Sequence, residues 1–301
     1  MGGAARNAYD RRPLGPHALE ISVATQQRLF ARAAALVLLA GLTSLVDAKT
    51  RADCEKEYTP QRAQEGKDVI WVPTEDALVL RMLAMAKVTP ADKVYDLGAG
   101  DGKIAIAAGK HFGATAVGVE YDPDLARHAQ CLVEVERVQE RVKIVQGDIF
   151  ATDFNDATVV MLYLLPALNL QLRPTLLEMK PGTRVVSNSF TMGDWDPDEQ
   201  ADTNEGSAYL WIVPAKVDGA WTFRPATGKE IFDVSLEQTF QNLKGFAGDA
   251  LVTGKLSGPN VDFAFMHGEK QTHVTGTVDG DRISATVTRD GRATAYVGSR
   301  K

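Results

Sequence analysis

The chain has 301 residues, of which 45% are hydrophobic and 24% are charged, and its formal net charge is −6. This balance is typical of a globular protein with room for one full-sized α/β domain and a smaller one, and it argues against a largely disordered chain. The acidic charge, without any Lys- or Arg-rich run, argues against a nucleic-acid partner held through its phosphates.

An uncharged apolar stretch, Ala33–Val46, follows Arg28 and Arg32 near the start of the chain. It is short for a helix that crosses about 30 Å of hydrocarbon. The basic flank, the short apolar core and the small residue Ala48 predict a secretory signal peptide cut before Lys49. An uncleaved hydrophobic anchor is the alternative. If residues 1–48 are a signal peptide, the protein is expected to be exported or periplasmic. If they are an anchor, it is expected to be attached to a membrane.

The chain has two cysteines, Cys54 and Cys131, and five scattered histidines. Two cysteines are too few for a disulfide framework, and no Cys or His spacing indicates a metal site, so none is predicted. A Cys54–Cys131 bridge stays open for an exported protein, because the sequence does not give the distance between them.

Residues 52–67 are polar and are predicted to be irregular. The next segment, EDALVLRMLAMAKV, predicts a helix capped by Thr74, with a buried stripe made of Leu78, Leu80, Met82, Leu83 and Met85. From Lys93 the pattern alternates between short apolar strands and amphipathic helices, the last helix being interrupted by Pro174. Repeated βα units of this kind predict a parallel sheet covered by helices on both faces.

After Phe190 the alternation stops. The segments SAYLWIVPAKV and GAWTFRP predict an antiparallel hairpin at the edge of the sheet. Residues 252–265 and 274–287 share one template, V-T-G-x-φ-x-G-x-x-φ-x-φ-x-φ, where φ is a hydrophobic residue, and each copy predicts two strands around a turn. We therefore expect a main domain at 49–228 and a small antiparallel β tail at 229–301.

The segment VYDLGAGDGK joins a predicted strand to a predicted helix through three glycines, Gly98, Gly100 and Gly102. Glycine lets the chain turn and lets a ligand approach the backbone closely, and the helix that follows offers free amide donors. Dinucleotides and S-adenosylmethionine are both bound in this way. A dinucleotide fingerprint would need glycine at Lys103, and the carboxylate of Asp96 would repel a pyrophosphate. The same carboxylate attracts the positively charged S-adenosylmethionine, which the sequence therefore favours.

Two further carboxylates end the next two predicted strands. Glu120 follows the loop by about twenty residues, the length of one βα unit, and is placed to accept hydrogen bonds from ribose hydroxyls. Asp148 ends the third strand and is placed to accept a hydrogen bond from the adenine amine. Each residue alone could be a turn or cap residue. Three on successive strands predict one cofactor site along the carboxyl edge of the sheet.

These motifs resemble class I, seven-strand S-adenosylmethionine-dependent methyltransferases. More narrowly, the chain resembles the lysine methyltransferases of the adenine nucleotide translocase and the ATP synthase c subunit, and their bacterial relatives. The resemblance runs from about Val69 to Val213 and is carried by WVPT, VYDLGAGDGKIAIAA, GVEYDP, TVVMLYLLP and RVVSNSFTMGDWDPD. It implies a Rossmann-like parallel sheet with an antiparallel edge hairpin.

Carried over by position, the resemblance implies residue roles. The expected cofactor-binding residues are Asp96, Gly98, Ala99, Gly100, Glu120, Tyr121, Asp148 and Ile149. Tyr163 is the candidate catalytic residue at the acceptor, although the family's usual Asn/Asp-Pro-Pro-Tyr sequence is absent there. A core tyrosine is the alternative for Tyr163. An apolar channel of Trp71, Tyr163, Leu164 and Leu165 would favour a neutral amine.

The expected function is therefore methyl transfer from S-adenosylmethionine to an accessible lysine of a protein partner. Two alternatives remain at this point. One is a small-molecule methyltransferase, and the other is a non-catalytic exported binding protein on the same fold. A nicotinamide-dependent oxidoreductase is disfavoured by Lys103 and Asp96.

Overall fold

An alternation of short strands and helices makes up the first part of the computed structural model, which describes residues 49–204 and 206–301. The predictions for residues 1–48 lie outside these residues. The helices are α1 (Arg51–Glu57), α2 (Asp76–Met85), α3 (Lys103–Phe112), α4 (Pro123–Val135) and α5 (Pro166–Leu177). None of these described helices has the length and apolar character needed to span a bilayer.

The first seven strands form one sheet. They are β1 (Lys93–Leu97), β2 (Thr115–Glu120), β3 (Val142–Gln146), β4 (Val159–Leu162), β5 (Arg184–Asn188), β6 (Glu199–Thr203) and β7 (Gly206–Ile212). Their order is β3-β2-β1-β4-β5-β7-β6, with β1 to β5 parallel and β7 antiparallel to β5. One apolar cluster packs α2, α3 and α4 on the sheet, and another packs α5 on it. The predicted parallel α/β sheet is confirmed.

The predicted edge hairpin is wrong in its second strand. Strand β7 pairs antiparallel with β5 on one side and with β6 on the other, and GAWTFRP forms β8 (Gly219–Pro225), which leaves the sheet. The side chains of Trp221 and Phe223 are fully buried in a second core. Alternating apolar residues predict a strand correctly, but they do not say which sheet buries them.

Eight antiparallel strands, β8 to β15, close into a barrel. The other seven are β9 (Phe232–Thr239), β10 (Asn242–Ala247), β11 (Ala250–Ser257), β12 (Asn260–His267), β13 (Lys270–Asp279), β14 (Arg282–Arg289) and β15 (Arg292–Arg300). Each strand pairs with the next, and β15 pairs with β8, so every strand edge in the barrel is hydrogen-bonded. The two sequence repeats are the hairpins β11–β12 and β13–β14, as predicted.

The barrel joins the sheet at the amino end of β5. The backbone amide of Gly182 donates a hydrogen bond to the Val213 carbonyl. The amide of Ala215 donates one to the carbonyl of Gly258, in the turn between β11 and β12. A Cβ on Gly258 would lie 2.9 Å from the Cα of Gly182, so the two backbones touch. Because β8 already belongs to the barrel, we propose a domain boundary at 214–218 in place of 228/229.

Several local predictions fail for identifiable reasons. Residues 51–57, all but the first of which belong to the stretch predicted to be irregular, form α1, which is opened by a capping box between Thr50 and Asp53. Helix α2 begins after Glu75 and not after Thr74, whose hydroxyl accepts a hydrogen bond from the buried Asn188 amide. Leu80 of the predicted stripe is exposed, and α5 runs through Pro174 without ending.

The two cysteines form a disulfide. Cys54 on α1 and Cys131 on α4 have Cα atoms 5.8 Å apart and close a separation of 77 residues. Both are buried, at 1% and 5% exposed. The disulfide fixes α1, and with it the start of the segment that leads to the functional site, on the body of the sheet domain.

Candidate functional site

A cavity of about 280 Å³ lies at the carboxyl ends of β1 to β5. All nine residues predicted from the sequence line it: Asp96, Gly98, Ala99, Gly100, Glu120, Tyr121, Asp148, Ile149 and Tyr163. The structure thus brings together the glycine loop, the three strand-end carboxylates and the candidate acceptor residue. The carboxyl edge of an open parallel sheet is where such folds bind ligands.

The glycine loop leaves β1 through two backbone bonds. The amides of Gly98 and Ala99 both donate to the Val119 carbonyl at 2.9 Å, which fixes the loop against β2. Gly100 has a φ of +58°, and a Cβ there would lie 2.4 Å from the indole nitrogen of Trp71. The space that glycine leaves at this position is therefore occupied by the chain's own Trp71, and the rest of the loop faces the cavity.

Asp96, on β1, is the most deeply buried carboxylate of the site. It is 2% exposed, and its Oδ2 has no hydrogen-bond partner among the described residues. Burial raises the pKa of Asp96 to about 8, and the nearby carboxylates of Asp101 and Glu120 add to this shift. A buried acceptor without a partner is rare in a protein interior, and its position here fits a cationic or hydrogen-bonding ligand.

Glu120 ends β2 and also supports the loop. One of its carboxylate oxygens accepts from the Gly100 amide at 2.8 Å, and the other accepts from the Asp122 amide at 2.9 Å. Burial raises the pKa of Glu120, and these backbone donors oppose the shift. Each oxygen keeps a second lone pair, so the carboxylate can still accept hydrogen bonds from a ligand in the cavity.

Asp148, after β3, is held by a residue that the sequence did not single out. Lys67 Nζ lies 2.8 Å from Asp148 Oδ2 and 5.3 Å from the centre of the Tyr121 ring. The hydrogen bond from Lys67 lowers the pKa of Asp148. Lys67 lies in the polar stretch without periodicity, so no sequence pattern could have identified it.

A small hairpin forms the front wall of the cavity. The amide of Ala63 donates to Trp71 O, that of Trp71 to Gln64 O, and that of Gly66 to Val69 O, each at 2.9 Å. Lys67 lies at its tip and Trp71 at its base. The hairpin therefore reaches from the glycine loop at one end of the cavity to Asp148 at the other.

The end of the cavity away from Asp148 is apolar and aromatic. The predicted channel residues Trp71, Tyr163, Leu164 and Leu165 all line it. The ring of Tyr163 stacks on Phe190, with centroids 6.5 Å apart and planes at 24°. Phe190 follows β5 and was not predicted, because nothing in the sequence distinguishes it from a core phenylalanine.

The sequence of the chain is similar to those of known methyltransferases. The family model of the ANTKMT methyltransferase domain matches residues 96–199 of this sequence. The match ends before the first strand of the barrel begins. A "Protein-lysine N-methyltransferase" of Saccharolobus islandicus is 44% identical over 151 residues, which are 48% of this chain and 94% of the relative. A lysine N-methyltransferase of the ATP synthase c subunit, from Homo sapiens, is 33% identical over 135 residues, 44% of this chain and 57% of that protein.

Among solved structures, a protein described as an RNA methyltransferase from Salinibacter ruber, in complex with S-adenosyl-L-homocysteine, is 44% identical. The match covers 53% of this chain and 100% of that chain, with a TM-score of 0.48. The archaeal relative is matched over nearly its whole length, and the ANTKMT model covers the glycine loop, all three carboxylates and Tyr163. The chain therefore belongs to the ANTKMT family of S-adenosylmethionine-dependent methyltransferases.

Proposed function

We propose that the chain methylates the side-chain amine of a lysine in a protein substrate, using the cavity at the carboxyl edge of β1 to β5. The observation that carries this proposal is the buried carboxylate of Asp96. Asp96 lines the same cavity as the glycine loop, Tyr163 and Phe190, and its buried Oδ2 has no hydrogen-bond partner among the described residues. The cofactor carries an ammonium group and a sulfonium, and a desolvated carboxylate without a partner suits a cation.

The other residues fit the remaining parts of the cofactor. In this proposal Glu120 accepts from the ribose hydroxyls, and Asp148 accepts from the adenine amine beside Tyr121 and Ile149. Lys67 then has to share Asp148 with the adenine amine or move away. When bound, S-adenosylmethionine supplies a methyl group that its sulfonium leaving group has already activated. The chain itself orients the reactants and excludes water.

Lysine as the acceptor is supported by the apolar end of the cavity and by the lysine-specific names of the relatives. A lysine side chain has an unperturbed pKa of about 10.4 and must lose a proton before it attacks. The aliphatic side chains of Leu164 and Leu165, which also line this end, disfavour the charged ammonium and so favour the neutral amine. Water can take the proton, so no dedicated base is assigned.

The affinity for S-adenosylmethionine should rise nearly tenfold between pH 6 and pH 7. Because the pKa of Asp96 is about 8 in the free chain, about nine-tenths of it is protonated at pH 7. The cationic cofactor favours the ionised form, so the complex holds fewer protons and is favoured as the pH rises. The rise ends near pH 8, where the amino group of the cofactor itself begins to lose its proton.

Isothermal titration across this pH range, in buffers of different ionisation enthalpy, measures both the affinity and the proton released. At pH 7 we expect close to one proton released per cofactor. An Asp96→Asn variant should show a flat profile over the same range. An unchanged wild-type affinity from pH 6 to pH 7 would contradict the assignment of Asp96 to the cation.

Methyl transfer is tested with the full-length chain, methyl-labelled S-adenosylmethionine and a cell lysate. The lysate is divided into an untreated part, a ribonuclease-treated part and a part whose lysines have been blocked by acetylation, which removes the nucleophilic amine. We expect protein-bound label in the first two and none in the third. Asp96→Asn serves as the inactive control.

The alternatives give different patterns. Label in the low-molecular-mass fraction would indicate a small-molecule methyltransferase, and label lost with ribonuclease would indicate an RNA acceptor. No transfer by a chain that binds the cofactor would indicate a non-catalytic binding protein. Each of these results would overturn the lysine proposal.

A further inference from the structure

The turn after β5 has an unusual backbone. Ser189 has a φ of +65°, in the left-handed region that residues with a Cβ rarely adopt. Such positions persist where the surrounding structure holds them, and they concentrate at functional sites. Here Ser189 N donates to Ser207 O at 2.7 Å, and the Phe190 amide donates back to Asn188 O at 2.8 Å. The turn directs Phe190 to the cavity.

A buried amide on α5 holds the same turn from the other side. Asn169 is 0% exposed, and its Nδ2 lies 3.4 Å from Phe190 O, 3.4 Å from Thr191 O and 3.2 Å from Ser187 Oγ. Its Oδ1 has no partner among the described residues. Burying an amide with one end unpaired destabilises the fold. The side-chain hydrogen bonds of Asn169 among the described residues are all with β5 and the turn after it.

The position of the aromatic pair within the site follows from the strand order. Glu120 and Asp148 lie at the ends of β2 and β3, at one side of the sheet, and Asp96 lies on the neighbouring β1. Tyr163 and Phe190 follow β4 and β5, on the other side of β1. A cofactor with its adenosine on β2 and β3 therefore directs its sulfonium end toward the Tyr163–Phe190 pair.

We propose that Phe190, stacked on Tyr163, forms an aromatic wall that favours positive charge at the transferring methyl group, and that Asn169 is the positioning residue that keeps Phe190 there. This proposal rests on the proposed function, since it assumes the cofactor orientation given above. Aromatic faces attract cations, most strongly where water is excluded. Asn169 does not touch the ligand and acts only through the backbone of the turn.

The test compares two ligands that differ at this one position. Sinefungin carries an amine-bearing carbon where S-adenosylmethionine has its sulfonium methyl, whereas S-adenosylhomocysteine has a neutral thioether. Their dissociation constants are measured by isothermal titration for the wild-type chain, Phe190→Leu, Asn169→Leu and the double variant. We expect Phe190→Leu to reduce the preference for sinefungin by about threefold to tenfold.

Asn169→Leu should reduce this preference in the same direction and by a similar factor. In the double variant the second change should add little, because both act through one ring. Gln241→Met is the matched control, since Gln241 is also a buried amide with an unpartnered oxygen and binds the Asp196 carbonyl outside the site. It should leave the ligand preference unchanged even if it lowers the melting temperature.

Two results would overturn the proposal. Equal losses of affinity for both ligands in Asn169→Leu would indicate a merely structural residue, and independent, multiplying effects of the two changes would separate Asn169 from Phe190. Failure of the wild-type chain to bind either ligand would instead remove the proposed function, so the two failures are distinguishable.

Discussion

Replacing Asp96 by Asn should weaken the binding of S-adenosylmethionine by about 10- to 100-fold, because a hydrogen bond to a charged partner contributes about 1.5–3 kcal/mol. The change keeps the shape of the side chain, removes its charge and replaces one acceptor oxygen with an NH₂ donor. It should also stabilise the free chain at pH 8. The pKa of Asp96 is raised in the folded state, so folding binds protons and wild-type stability falls as the pH rises from about 4 to about 8.

Isothermal titration measures the first effect, and urea unfolding at pH 5 and pH 8 measures the second. Asp279→Asn, an exposed position on the barrel, is the control for the charge change and should alter neither quantity. Wild-type affinity in Asp96→Asn would show that the unpaired Oδ2 serves no cation, and the cofactor assignment of this residue would be wrong.

Removing the disulfide should lower the free energy of unfolding by about 4 kcal/mol. In the chain-entropy description a crosslink stabilises a protein by restricting its unfolded state, and the 77-residue separation of Cys54 and Cys131 is large. The variant is Cys54→Ala with Cys131→Ala, which leaves no buried hydroxyl. Urea unfolding of the oxidised wild type and of this variant gives the difference.

Reduction of the wild type with dithiothreitol should reproduce most of the loss, whereas the double variant should not respond to dithiothreitol. Cofactor affinity should also fall in the reduced wild type and in the double variant. Without the disulfide, α1 is no longer fixed to the sheet domain, and α1 precedes the hairpin that forms the front wall of the cavity. Equal unfolding curves for oxidised and reduced wild type would show that the pairing contributes nothing.

Much of the sheet domain could be predicted because its signals are local. Each strand is a short apolar run, each following helix is amphipathic, and Asp96, Glu120 and Asp148 each end a strand. Because the carboxyl ends of parallel strands meet at one edge of the sheet, the spacing of these three residues along the sequence was enough to predict that their carboxylates lie together. The repeated hairpins of the tail were predictable for the same reason.

The failures involve partners that are distant along the chain. The strand β8 pairs with β15, some seventy residues later, and local alternation carries no trace of that pairing. The hydroxyl of Thr74, the predicted cap of α2, instead accepts a hydrogen bond from Asn188, which is 114 residues away. Lys67, Asn169 and Phe190 likewise acquire their positions from neighbours on other elements.

The attachment of the barrel constrains what the enzyme can act on. The barrel is fixed at the amino end of β5, whereas the cavity opens at the carboxyl ends, and a five-residue strand is about 17 Å long. A macromolecular substrate that binds the barrel while the cavity modifies it must therefore extend from one end of the sheet strands to the other. A peptide of fewer than about five residues cannot span this distance even when fully extended, so such an acceptor would be treated alike by the whole enzyme and by one whose barrel surface has been altered.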